Sequence, residues 1–247
     1  MKAAGVPKTG DETLDSFYHG RIRVLQKKKG YRFSVDAPLL ADFIKTRPGD
    51  ELVELGTGSG IIPLLLSIKP FRKITAVEIQ PELADLARRN VAQNGLESRI
   101  EVVEADLRTF NPGSRFDVVF ANPPYIRGKG GRLSDVEEKS VAKHEIKCDI
   151  FDIMRGTRRL LEDDGRACFI YPERRRKDFL EAMNAEGLKL TALRTVCPRD
   201  GAGPNLFLAK CGLRSAGTEI LPPFILFTAG GRYTAEAEAV FAGRTTE

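Results

Sequence analysis

No apolar run in this 247-residue chain approaches the roughly 18 residues of a membrane-spanning helix. The opening residues, Met1 to Lys8, contain no apolar core of a signal peptide. Membrane insertion and secretion are therefore not expected. The four cysteines (Cys148, Cys168, Cys197, Cys211) are widely scattered, with no Cys-x-x-Cys pair. That argues against a zinc site or a redox motif, so no metal is expected. Reduced thiols and a cytoplasmic location follow. There is no internal repeat and no long low-complexity tract. A Gly-x-x-x-x-Gly-Lys-[Ser/Thr] phosphate loop is also missing, and Gly128-Lys129-Gly130-Gly131 does not substitute for it.

What is present is enough apolar residue, 42%, for one substantial core. The pattern reads as a single domain over residues 31–247, preceded by a basic extension over residues 1–30. Residues 1–16 are polar and expected to fray. The net charge of +5 says little by itself, because many enzymes with no nucleic-acid partner reach it. Its distribution says more. Between His19 and Arg32 lie Arg21, Arg23, Lys27, Lys28, Lys29 and Arg32, with no acid among them. This is either a solvated loop or a footprint for a polyanion.

From Phe33 onward strands and helices alternate, which implies an α/β fold with a mostly parallel sheet and helices on both faces. Glu51 to Leu55, Lys73 to Glu78, Arg99 to Glu104, Phe116 to Ala121 and Arg166 to Tyr171 read as successive buried strands. Leu188 to Val196 and Asn205 to Lys210 read as an antiparallel closing pair, making seven strands. Pro81 opens a helix where its missing N–H costs nothing, and Gly95 ends it. The tail after Ile220 gives no clear pattern beyond a short helix at Thr234 to Phe241. The long connection from Ile126 to Lys147 is of the kind that is usually functional or disordered.

Four strand ends carry chemistry. Glu54-Leu55-Gly56-Thr57-Gly58-Ser59-Gly60 leaves the first strand and opens a helix. Its glycines permit a tight turn and close backbone approach to a ligand. It lacks the Gly-x-x-Gly ending of dinucleotide sites. An acid, Glu54, beside the loop disfavours phosphate and suits a cationic amino-acid group. Glu78 ends the second strand, where it can accept both hydroxyls of a ribose. Asp106, with Leu107, follows the third strand and is placed to accept from an adenine amino group. Asn122-Pro123-Pro124-Tyr125 follows the fourth. The oxygen of Asn122 and the carbonyl of Pro123 can each accept a hydrogen from a planar amine, and Tyr125 can stack on its ring. The two prolines hold that backbone extended.

With these residues in this order, the chain resembles the class I S-adenosylmethionine-dependent methyltransferases, a Rossmann-like fold with a seven-stranded sheet whose last strand is antiparallel. Glu54 to Gly60, Glu78, Asp106 and the Asn-Pro-Pro-Tyr box match that family's motifs I to IV. The resemblance implies S-adenosylmethionine as methyl donor and a planar nitrogen as acceptor: adenine N6, cytosine N4, guanine N2 or a glutamine amide. A narrower resemblance spans nearly the whole chain. Thr13-Leu14-Asp15, Gly20 to Gln26, Gly30 to Asp36, Leu39 to Phe43, Ala142-Lys143-His144-Glu145 and Leu221-Pro222-Pro223 are similar to the bacterial tRNA(Val) adenine-N6 methyltransferases. It implies tRNA as partner, with the adenine immediately 3′ of the anticodon as target. The segment holding Tyr31, Phe33 and Asp36 is then expected near the methionine end of the donor, and Gly56, Thr57, Gly58, Gly60 and Ile79 around it.

Candidate RNA contacts are Arg21, Arg23, Lys27, Lys28, Lys29 and Arg32, together with Arg127, Lys143, His144, Arg174 and Arg175. Three other functions compete. A protein glutamine N5-methyltransferase acting on release factors uses the same box but carries a helical domain ahead of it, whereas the 30 residues before Tyr31 here are basic rather than helical in pattern. A DNA adenine-N6 methyltransferase usually needs a target-recognition insertion, and none is apparent. An inert RNA-binding module would not need the intact acids and box. Monomer and homodimer both remain open.

Overall fold

In the computed structural model, residues 9–28, 35–123 and 148–244 are described. The chain begins with a hairpin, β1 (Glu12–Phe17) and β2 (Ile22–Lys27), antiparallel in register Glu12↔Lys27 to Phe17↔Ile22. Residues read as frayed through position 16 thus form a strand from Glu12 onward. Its two acids are held by side chains far away or across the pair. Glu12 takes a bidentate contact from Arg89 at 2.8 and 2.7 Å, and Asp15 accepts from Gln26 at 2.5 Å. The hairpin turn uses three consecutive left-handed residues, Tyr18 (φ 50), His19 (φ 56) and Gly20 (φ 87). Two of them are not glycine, a strain of roughly 1–2 kcal/mol each that the surrounding packing must offset. The Tyr18 ring supplies part of that packing. It is 5% exposed and lies where a Cβ on Gly243 would approach it to 2.5 Å.

Then come α1 (Asp36–Phe43), β3 (Glu51–Leu55), α2 (Ile61–Leu66), β4 (Lys73–Glu78), α3 (Pro81–Gln93), β5 (Ile100–Glu104) and β6 (Phe116–Ala121). After the undescribed segment follow α4 (Ile150–Leu160), β7 (Leu161–Pro172), α5 (Arg176–Ala185), β8 (Lys189–Arg199), β9 (Leu206–Gly212), β10 (Glu219–Phe227) and α6 (Ala235–Phe241). The main sheet runs β10-β8-β9-β7-β6-β3-β4-β5, with only β9 antiparallel to its neighbours. Among the described residues the sheet therefore has eight strands, not the expected seven. The last of the seven expected strands is antiparallel, as read, but β10 follows it and lies parallel to β8 at the edge. The pattern of β10 is broken by Pro222-Pro223, where the register shifts between Leu221 and Phe224. Proline cannot donate to a ladder, so such a strand is tolerated at an edge.

Strand residues alternate between two cores, as the two-residue period demands. Leu52, Val118, Phe120, Cys168 and Ile170 face one way, against α1, α2, α3, α6 and the hairpin residues Tyr18, Ile22 and Val24. Val53, Leu55, Val119, Ala121, Phe169 and Tyr171 face the other, against α4 and α5. On that second face Phe179 sits edge-on to Phe169 and Phe207, at 5.5 and 5.1 Å between centroids. Each such pair adds about 0.5–1.5 kcal/mol beyond its buried area. Lys69 closes α1 from below. Its ammonium donates to the carbonyls of Ala41, Asp42 and Ile44 at 2.7–2.9 Å, satisfying acceptors that the helix end leaves open. No helix among the described residues is long and apolar enough to cross a membrane.

Candidate active site

Strand β3 lies between β4 and β6, so chain order reverses at its carboxyl end. In open α/β sheets that reversal leaves a crevice where ligands bind. Adjacent strands β6, β3, β4 and β5 are mutually parallel, and their carboxyl ends carry Asn122, the glycine loop, Glu78 and Asp106. The four motifs read from separate stretches of chain thus stand side by side at one edge.

The glycine loop is stitched to β4. The N–H groups of Gly56 and Thr57 both donate to the Val77 carbonyl, at 3.0 and 2.9 Å, and Gly60 N–H donates to Thr57 O at 3.0 Å. Gly60 has φ +80, and a Cβ there would stand 3.2 Å from the Cβ of Ala87 on α3. Both backbone angle and helix contact therefore require glycine. Gly56 also has φ +80, but a Cβ on it would meet nothing within 4 Å. Its close neighbourhood is open, as a backbone cradle for a ligand requires.

Glu78 and Glu54 are buried beneath this loop, 5% and 1% exposed. Glu78 Oε2 accepts from Gly58 N–H at 2.8 Å and Oε1 from Gln80 N–H at 2.9 Å. Oε1 also accepts a long contact from Gln80 Nε2 at 3.4 Å, so Oε2 is the oxygen with a lone pair in hand for an incoming hydroxyl. Glu54 receives the hydroxyl of Thr57. Burial pushes its carboxyl up to about 8, the Thr57 hydroxyl draws it back down, and nearby Glu78 raises it again. Glu54 is therefore protonated at neutral pH, until a cation beside it favours the ionised form.

A cleft lined by Gly56, Val77, Ile79, Ala105, Asp106, Leu107 and Cys148 opens beside the loop. Gly56, Ile79, Asp106 and Leu107 were expected there from sequence; Val77, Ala105 and Cys148 were not. The carboxylate of Asp106 accepts from Arg108 through the backbone N–H (2.9 Å), Nε (2.9 and 2.8 Å) and Nη2 (2.5 Å). These contacts hold its pKa below the ordinary carboxylate value. An adenine amino group would share this carboxylate with Arg108. Burial, with Asp152 and Asp149 nearby, pushes the Cys148 thiol up to about 12, so it is no nucleophile at neutral pH.

Asn122 is half-buried and Pro123 is buried, directly after β6. Pro124, Tyr125, Tyr31, Phe33, Lys29, Arg32, Arg127, Lys143 and His144 lie outside the described residues. Asp36 is the buried first residue of α1. Among the basic candidates, Arg21 and Arg23 are exposed on the hairpin. Lys27 pairs with Asp11 at 3.1 Å and Glu12 at 3.8 Å, and Lys28 donates to Gly10 O at 2.8 Å. Arg174 is exposed just after β7, at the sheet end that carries Asn122. Arg175 pairs with Asp178 at 3.1 Å, its guanidinium 5.5 Å from the centre of the Tyr171 ring. Arg176 pairs with Glu173 at 2.7 Å. Local acids, rather than an external anion, thus offset the positive charge at the start of α5. Among the described residues, no group of His, Cys, Asp or Glu could hold a metal ion.

Sequence reading missed Asn90. It is fully buried on α3 and bonded to the glycine loop. A polar residue within the apolar stripe of Leu83, Leu86, Ala87 and Val91 was the available signal. Its partners lie 65 and 31 residues away, where no local pattern reaches.

Residues 32–146 match the family model of the methyltransferase small domain. A Vibrio vulnificus protein named tRNA1(Val) (adenine(37)-N6)-methyltransferase is 26% identical over 212 residues, covering 85% of this chain and 88% of its own. One of the same name from a Flavobacteriaceae bacterium is 27% identical over 160 residues, covering 64% and 67%. Among solved structures, a predicted O-methyltransferase from Agrobacterium tumefaciens has the same fold, with TM-score 0.67, 20% identity and coverage of 86% and 98%. The chain thus has the fold of the class I methyltransferases, and its residues 32–146 are similar to the methyltransferase small domain.

Proposed function

We propose that the chain moves a methyl group from S-adenosylmethionine to the exocyclic N6 of an adenine in tRNA, the adenine next to the anticodon of tRNA(Val). The observation that carries this reading is the gathering of the glycine loop, Glu78, Asp106 and Asn122 at adjacent strand ends around the sheet's reversal point. The curated relatives named for that reaction support the substrate. The site is cytoplasmic, where tRNA is modified.

S-adenosylmethionine supplies an electrophilic methyl group on a sulfonium, whose C–S bond breaks as the new N–C bond forms. Glu78 would accept from the donor's ribose through Oε2, and Asp106 would accept from its adenine amino group. The open space at Gly56 lets backbone approach the donor closely. Glu54 faces its ammonium group. The side-chain oxygen of Asn122 and the carbonyl of Pro123 accept the two hydrogens of the target amine. They draw its lone pair out of conjugation with the ring. Stacking on Tyr125 is worth roughly 1–3 kcal/mol. The methylated nitrogen becomes acidic and gives its proton to water, so no strong base is needed. Positioning supplies much of the acceleration. An anticodon-loop adenine is unpaired, so its Watson–Crick edge can enter such a pocket without opening a duplex.

The test is nucleoside mass spectrometry of bulk tRNA after incubation with the enzyme and methyl-labelled donor, followed by mapping of the labelled position. Labelled N6-methyladenosine in one tRNA(Val) is expected. Label in a protein glutamine, or none in tRNA, would overturn the assignment.

A further inference from the structure

The N-terminal hairpin is fastened to the domain by side-chain amides. Asn90, on α3, and Asn94, the residue that follows its last turn, are four residues apart, about 6 Å along the helix axis. They meet Leu25 and Arg23, two residues apart on β2 and about 6.6 Å along the strand. The spacings agree, so each amide faces one backbone unit. Asn94 Oδ1 accepts from Arg23 N–H at 2.9 Å while its Nδ2 donates to Arg23 O at 2.7 Å. Asn90 Oδ1 accepts from Leu25 N–H at 2.6 Å while its Nδ2 donates to Leu25 O at 3.1 Å. The two side chains thus imitate a neighbouring strand against β2.

The two asparagines differ in one respect. Asn94 returns its second N–H to its own helix, at Asn90 O, 2.7 Å away. Asn90 gives its second N–H to the carbonyl of Ser59 at 2.9 Å. Ser59 is inside the glycine loop, one residue after Gly58, whose N–H holds Glu78 at 2.8 Å. Asn90 has 0% exposure. A chain of short contacts therefore runs from Leu25 through Asn90 and Ser59 to Gly58 and Glu78. The Arg89–Glu12 bidentate pair holds β1 to the same helix.

We infer that Asn90 is a positioning residue for the methyl-donor site, and that the N-terminal hairpin is a working part of that site through it. Asn90 fixes the Ser59 carbonyl against an anchor, the Leu25 backbone, that lies outside the main sheet. The loop then presents Gly58 to Glu78 in one arrangement. This rests on the reading of the glycine loop and Glu78 as the donor site. Reciprocity follows: whatever orders the loop also tightens the hairpin, and whatever loosens the hairpin weakens donor binding.

Asn94→Ala and Asn90→Ala separate the roles, because only Asn90 touches the loop. The readouts are the affinity for S-adenosylhomocysteine by calorimetry and amide hydrogen exchange at Arg23, Leu25 and Gly58. Asn94→Ala should speed exchange at Arg23 and change affinity less than about two-fold. Asn90→Ala should speed exchange at Gly58 and weaken affinity about ten-fold or more. Equal affinities for the two variants would overturn the inference while leaving the donor site standing. Failure of the unaltered protein to bind S-adenosylhomocysteine would take down both. A second measurement needs no variant. Saturating the unaltered protein with S-adenosylhomocysteine should raise protection of Leu25 well above that of the β8–β10 edge amides. A rise that is uniform across both overturns the inference.

Discussion

Replacing Glu54 by glutamine should flatten a pH dependence of stability that the wild-type site imposes. In the folded chain, burial raises this carboxyl from 4.5 to about 8. The unfolded chain releases the proton near 4.5, while the folded chain keeps it until about 8. Between those values the native state holds one more proton than the unfolded state. Stability must therefore fall as pH rises, by about 1.4 kcal/mol per pH unit. Over the whole interval the loss approaches about 5 kcal/mol, and from pH 5.5 to 7.5 it is roughly 2–3 kcal/mol. Glutamine at 54 cannot ionise and keeps an oxygen for the Thr57 hydroxyl. Any fixed cost of the substitution cancels between two pH values. Urea unfolding of both proteins without donor, at pH 5.5 and 7.5, measures the difference directly. The variant's advantage over wild type should grow by roughly 2–3 kcal/mol across that range. Parallel curves would refute the burial of a neutral carboxyl at position 54. A linked outcome concerns the donor. If its ammonium group ionises Glu54, binding at pH 7 should release close to one proton in wild type and none in Glu54→Gln. Calorimetry in buffers of different ionisation enthalpy counts those protons.

On the proposed role of its oxygen toward the amine in the transition state, Asn122→Ala should lower turnover by about a hundredfold or more while leaving donor affinity within about two-fold. Single-turnover kinetics with a tRNA anticodon stem-loop would show it, and wild-type turnover would sink the role. Lys69→Met should destabilise by roughly 2–4 kcal/mol in urea unfolding, since three carbonyls at the end of α1 lose a charged donor. Gly60→Ala should cost roughly 1–3 kcal/mol and weaken donor binding. The added Cβ meets Ala87 at 3.2 Å and the backbone angle is +80°. Unchanged thermal and binding curves would show that the loop can shift away from α3.

Much of this architecture was written in local pattern. Strands β3, β4 and β6 are short apolar runs buried on both faces, and such runs announce a parallel sheet. Pro81 and Gly95 mark the ends of α3 by backbone chemistry that needs no partner. The glycine loop and the acids after β4 and β5 were legible because each occupies a fixed place relative to its strand. What escaped was non-local. The strand at Glu12 looks like polar tail until Arg89, 77 residues on, neutralises its buried acid. Strand β10 was hidden by Pro222-Pro223 and by a mostly exposed pattern, since an edge strand has only one neighbour to satisfy. The basic stretch looked uniform in sequence, yet Lys27 proves to be spent on Asp11 and Glu12 while Arg21 and Arg23 stay exposed.

The seat of Tyr18 has a consequence for the order in which the molecule is made. Residues 12–27 are synthesised before α3, so the hairpin has nothing to grip until Arg89, Asn90 and Asn94 have emerged. Its turn, with two non-glycine residues in the left-handed region, gains the close packing around Tyr18 only when Gly243 arrives. Contacts so distant along the chain form slowly, because loop closure must precede their reward. The hairpin and its turn are therefore completed only by contacts from residues made well after them, at positions 89–94 and 243.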